Sequence, residues 1–186
     1  MLYNLPRHAS SKLVTIVFLS FFCSVCAASA AGREQGRGFS AGMASSVRGV
    51  GLCGEFSGEP GWFNSFFLTL DLMDILNGRA STPGLKLNYF YNKVLATFGE
   101  GKFSLYAGPG VTGGYVRNTD GHPNFMGGLS VDAGFSMKCL NSINLSIDFQ
   151  ADLAFSLKDG NSNGLSIYKA GFLHSYYPFV KIAYRF

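Results

Sequence analysis

Several groups of residues have the types and spacing that chemistry uses. Gly108-x-Gly110-x-x-Gly113 has the glycine spacing of a dinucleotide-binding turn. That turn works only between a strand and the start of a helix, where the glycines let the backbone approach a pyrophosphate. Here the glycines fall inside an alternating apolar and small-residue run, and no helical pattern follows. Crowding-relief glycines in a strand are the expected reading. Asp159-x-Asn161-x-Asn163-Gly164 has the first half of a calcium loop, but the twelfth position, where a bidentate glutamate is needed, is Ala170. It reads as a solvated loop of turn formers. His174-Ser175 pairs a base with a hydroxyl, but neighbours on a strand point to opposite faces and cannot hydrogen-bond each other. No catalytic, cofactor-binding or metal-ligating residue is assigned, and no cofactor is expected.

The remaining charged residues lie on a face. Asp71, Asp132, Asp148 and Asp152 share the alternation phase of Lys86, Lys138, Lys181 and Arg185. Either they line an ion path or they form a partnered network that fills a narrow interior, since buried charges need partners. The partnered network is expected.

The elements that position these residues are strands. From Ile143 the odd positions read Ile, Leu, Ile, Phe, Ala, Leu, Phe, and the even positions read Asn, Ser, Asp, Gln, Asp, Ala, Ser. A helix would scatter that pattern over all its faces. Leu129 to Met137 repeats it, and Cys139–Ser142 makes a tight hairpin between the two runs. Phe103–Val116, Leu85–Phe98, Phe66–Leu72, the glycine-rich stretches Gly38–Val47 and Val50–Phe56, and Tyr176–Phe186 complete about eight strands. Leu85–Phe98 slips phase near Asn92 and Lys93, where a bulge is expected. Short connections (Gly58–Trp62, Gly99–Lys102, Cys139–Ser142) alternate with longer polar ones (Asn77–Pro83, Asn118–Asn124, Lys158–Leu173). Arg48-Gly49 is a tight turn on the long-loop side. The predicted fold is all-β: an eight-stranded antiparallel up-and-down transmembrane β-barrel.

The first thirty residues read as a processing segment. Arg7, His8 and Lys12 precede an apolar run from Leu13 to Ala28, and Ala28-Ser29-Ala30 supplies the small residues of a cleavage site. The expected organisation is a signal peptide over 1–30 and a barrel over 31–186, exported from the cytoplasm. The chain has 15 basic and 11 acidic residues, two of the basic ones being Arg7 and Lys12, so no nucleic-acid footprint is left. The 24 glycines and 18 phenylalanines disfavour helix and favour strand. Cys53 and Cys139 fall on strands about half a barrel apart, too far to bridge.

Alternation does not say which face is wet. One face carries Phe135, Phe149, Phe155, Tyr184 and Phe186. An eight-stranded interior only just accommodates side chains, so these are expected outside, with small and charged residues within. Val180-Lys181-Ile182-Ala183-Tyr184-Arg185-Phe186 resembles the terminal strand of bacterial outer-membrane barrels, and Tyr106-Ala107-Gly108-Pro109-Gly110-Val111 resembles a strand common in the small outer-membrane-protein β-barrel domain family (OmpA-, OmpX- and OmpW-like). That resemblance implies a Gram-negative outer-membrane location and contact of the strand bearing Tyr184 and Phe186 with the barrel insertion machinery. The expected function is a non-enzymatic structural or surface-interaction role, porin-like in architecture, with outer-membrane lipid as the environment, a plugged polar lumen and a monomeric state. Two alternatives remain open: a secreted or periplasmic lipocalin-like barrel holding an apolar ligand, and an outer-membrane lipid A-modifying enzyme. A deacylase of that kind would use a His-x-Ser spacing that residues 31–186, with His122 and His174 as their histidines, lack.

Overall fold

The computed structural model describes residues 38–78, 82–99, 101–117, 123–140, 142–157 and 165–186. The expected leader, His122 and the Asp159–Gly164 calcium-like loop lie outside the described residues.

Nine strands form one closed sheet: β1 (Phe39–Ser46), β2 (Gly49–Glu59), β3 (Trp62–Asp71), β4 (Gly84–Phe98), β5 (Phe103–Arg117), β6 (Pro123–Leu140), β7 (Ile143–Leu157), β8 (Leu165–Ile167) and β9 (Phe179–Arg185). Each of β1 to β7 pairs antiparallel with the next. β9 then closes the ring between β7 and β1. The result is a closed eight-stranded antiparallel barrel, with β8 and β9 as two halves of the eighth strand. Closure leaves no open edge around the ring where these ladders run. Two short helices, α1 (Met73–Leu76) and α2 (Lys169–Leu173), sit in the connections.

The start of β1, the end of β9 and the three short turns lie at one end, called here the terminal end. The other end carries the long connections and the β1–β2 turn at Val47-Arg48 and is called the loop end. Gly61, Gly99 and Gly101 adopt positive φ at the terminal-end turns, which a side chain would disfavour.

The alternation expected for β6 and β7 is present along their length. Ser130, Asp132, Asp148, Gln150 and Asp152 are buried, whereas Leu129, Val131, Phe149 and Leu153 are exposed. The bulge in β4 is real but lies between Val94 and Ala96, two residues beyond the expected place. Lys93 keeps the outward phase, and its Nζ sits 5.3 Å from the Trp62 ring centre. The ammonium therefore lies over the aromatic face in a cation–π contact. The last strand also differs: it starts at Phe179, so Tyr176 and Pro178 do not extend its outward stripe.

The Gly108-x-Gly110-x-x-Gly113 stretch is strand, as expected. A Cβ at Gly108 would stand 2.1 Å from the Tyr91 carbonyl oxygen, and one at Gly110 would stand 2.4 Å from the Phe90 ring. These glycines let β4 pack closely against β5.

Candidate functional site: the layered lumen

The inward faces build a stack of layers. Nearest the terminal end, the strands enclose an open cavity of about 210 Å³ lined by Glu55, Ser104, Ser136, Lys138, Asn144 and Arg185 among others, with Tyr106 and Phe63 also in its wall.

Above it lies the first charged layer. Lys181 on β9 donates to Glu55 Oε1 on β2 at 2.5 Å and to Asp148 on β7 at 3.4 Å. The Tyr106 hydroxyl donates to Asp148 Oδ1. Asn92 Nδ2 donates to Asp132 Oδ2 at 2.9 Å and to Ser65 Oγ at 3.0 Å. Lys181 Nζ also stands 5.1 Å from the Phe67 ring centre and 5.7 Å from that of Tyr106. A buried ammonium is tolerable only with such partners around it, because desolvation of the charge is large.

An apolar layer follows. Ala44, Cys53, Phe67, Phe90 and Phe179 form one buried cluster. Phe67 meets Phe90 edge-on at 5.9 Å and Phe179 at 6.4 Å. A plugged polar lumen was expected. The interior also holds three phenylalanines, Phe67 in contact with both Phe90 and Phe179, in a ring whose glycine-rich β5 leaves room for them.

The second charged layer is toward the loop end. Lys86 Nζ lies 2.8 Å from Asp152 Oδ2, both fully enclosed. Asn88 Nδ2 and Ser130 Oγ donate to the other oxygen of Asp152 at 2.9 and 2.7 Å. All three donors converge on one carboxylate, so it is fully solvated by protein. Val116, Met126, Ala154, Tyr168 and Ala170 cap the stack.

Five of the eight charged residues expected on this face (Asp132, Asp148, Asp152, Lys86, Lys181) meet in the two layers. Asp71 does not: its Oδ1 accepts from the Met73 N–H at 3.1 Å, beside the start of α1. Lys138 and Arg185 stay at the terminal mouth. Glu55, Arg48 and Tyr106 were not anticipated. Glu55 follows Cys53 at the strand period, but the glycines around it mask the pattern. His174 and Ser175 lie in the turn after α2 and not on a strand, with the His174 ring 6.1 Å from that of Tyr177. Cys53 is buried on β2 and Cys139 exposed on β6, and both are free thiols.

The outward surface has the opposite character. Leu52, Leu87, Val111, Leu129, Val131, Leu153 and Phe155 are each more than half exposed. Aromatic pairs mark both ends: Trp62–Tyr91 at 4.6 Å, Phe39–Phe186 at 5.9 Å and Phe103–Phe135 at 5.7 Å toward the terminal end, and Tyr115–Phe125 at 4.9 Å toward the loop end.

No protein-family model and no curated protein matches the chain. Among solved structures the chain is similar to the crystal structure of Neisserial surface protein A, with 13% sequence identity over 80% of this chain and 92% of that one and a TM-score of 0.37.

Proposed function

We propose that this chain is a non-enzymatic outer-membrane β-barrel, with a structural or surface-contact role and a lumen closed to ions. The observation that carries it is the inverted polarity of the wall: Lys86, Lys181, Asp132, Asp148 and Asp152 are buried inside while leucine and phenylalanine cover the outside. In water, that exterior would be a single apolar patch far larger than a monomer tolerates. In a bilayer it is the lipid-facing band, flanked by aromatic girdles. A carrier barrel with an apolar ligand inside would need the reverse arrangement.

Two ion-paired layers separated by three phenylalanine rings support closure. An ion crossing the lumen would have to break Lys86–Asp152 and Lys181–Glu55 and pass the aromatic layer without water. On this reading the terminal end is periplasmic, and the strand bearing Tyr184 and Phe186 meets the insertion machinery. Cell fractionation, together with heat-modifiable migration in detergent gels, tests the location. Recovery of the chain in the soluble periplasm would refute it.

A further inference from the structure

The barrel wall is interrupted in one place. β7 pairs with β9 from Ile143 to Asp148 and with β8 from Phe155 to Leu157. No strand residue among those described stands opposite Phe149–Ala154. The Ala154 carbonyl accepts from the Tyr168 N–H at 2.8 Å on that edge. By the alternation of an antiparallel ladder, Asp152 and Gln150 also turn their backbone groups toward the gap.

The stretch Tyr168–Pro178 fills the gap with α2 instead of a strand. Gly171 makes this possible: a Cβ there would stand 2.7 Å from Asp152 Cβ and 2.9 Å from the Asp152 carbonyl oxygen. The insert is amphipathic. Tyr168 and Ala170 are buried in the apolar cap with Val116, Met126 and Ala154, while Phe172, Leu173 and Tyr176 face outward and are exposed.

Beside Tyr168, inside the wall, lies Arg48. Its residue is 2% exposed. It shares a small cavity with Lys86, Asp71 and Phe179. Its Nη1 has no hydrogen-bond partner among the described residues, and it makes no ion pair among them. Asp71 and the Tyr168 hydroxyl stand beside the guanidinium, and its free Nη1 donor can take one further acceptor, for which an anion is the best match.

We propose that Tyr168–Pro178 is a lateral lid, and that its displacement admits a single-chain amphiphile with an anionic head from the membrane. Arg48 receives the head, and the apolar cap of Val116, Met126 and Ala154 receives the chain. The inference rests on the membrane reading. It adds a side entrance to a lumen that is closed along its axis.

The test uses the full chain folded in a non-ionic maltoside detergent and palmitate as probe, read by native mass spectrometry after release from the micelle. The expected result is one palmitate per barrel, with methyl palmitate, which has the chain without the charge, and acetate, which has the charge without the chain, both bound far more weakly. Arg48→Gln should weaken palmitate about tenfold, the size of one charge-assisted hydrogen bond, and leave methyl palmitate unchanged. A disulfide joining cysteines at Ala154 and Ala170, in a background with Cys23, Cys26, Cys53 and Cys139 all changed to Ser, should block uptake until it is reduced. A folded, bilayer-inserted barrel that takes up palmitate no better than its methyl ester, or whose uptake ignores both changes, overturns the lid while leaving the membrane reading intact. A chain that stays soluble overturns both.

Discussion

Lys86 and Asp152 face each other across the lumen from β4 and β7, with Nζ and Oδ2 2.8 Å apart and water excluded from both. The two strands are neighbours neither in sequence nor in the sheet. The pair therefore ties opposite walls together. Replacing one partner leaves the other charged and buried. Asp152→Asn or Lys86→Met should each destabilise the barrel by about 3–5 kcal/mol, while Lys86→Met with Asp152→Leu together should cost less than the two singly. Urea unfolding in detergent, read by the heat-modifiable gel shift, checks this double-mutant cycle.

The aromatic layer should set the axial seal. Phe67, Phe90 and Phe179 fill the lumen between the ion pairs. Wild-type protein in planar bilayers should give no stable conductance steps. Phe90→Ala should cost about 3–5 kcal/mol of stability and admit occasional openings. Regular steps from the wild-type chain would contradict a closed lumen.

The close approach of β4 to β5 should make Gly108 intolerant of a side chain. A Cβ there meets the Tyr91 carbonyl oxygen and the Asn92 side chain, and Asn92 is hydrogen-bonded to Asp132. Gly108→Val should lower stability by about 1–3 kcal/mol through overpacking. Gly113→Val, where only a backbone oxygen at 3.8 Å is near, should be mild by comparison. Equal effects of the two would show that the strand spacing is not the constraint.

Phe186 stacks on Phe39 across the β1–β9 seam and meets Tyr184 edge-on at 5.1 Å. Deleting it should reduce the folded fraction in the outer membrane without changing expression, as quantified by immunoblot of heated and unheated membranes. Wild-type yield would remove its role in assembly.

The strands were legible where the two faces differ in chemistry. In β7, Asp148, Gln150 and Asp152 alternate with Ile147, Phe149 and Ala151, so both period and facing follow. Arg48 and Glu55 sit among glycines, which mark no face. Phe67, Phe90 and Phe179 were hidden for another reason: an aromatic residue is at home on either side of a membrane barrel wall, so its phase shows only once the neighbouring strands are placed. The break in the eighth strand was invisible because Ile167, Tyr168, Ala170, Phe172 and Leu173 follow neither a two-residue nor a helical period, and the gap they fill exists only after the ring has closed.

Facing is also the most direct test. Spin labels placed singly at Leu129, Ser130 and Val131 on β6, in reconstituted bilayers, can be compared for collision with oxygen, which concentrates in lipid, and with a water-soluble nickel chelate. High oxygen and low nickel access at Leu129 and Val131, with little access to either at Ser130, is the expected result. Nickel access at Leu129 and Val131 equal to that of a water-exposed loop would contradict the membrane barrel.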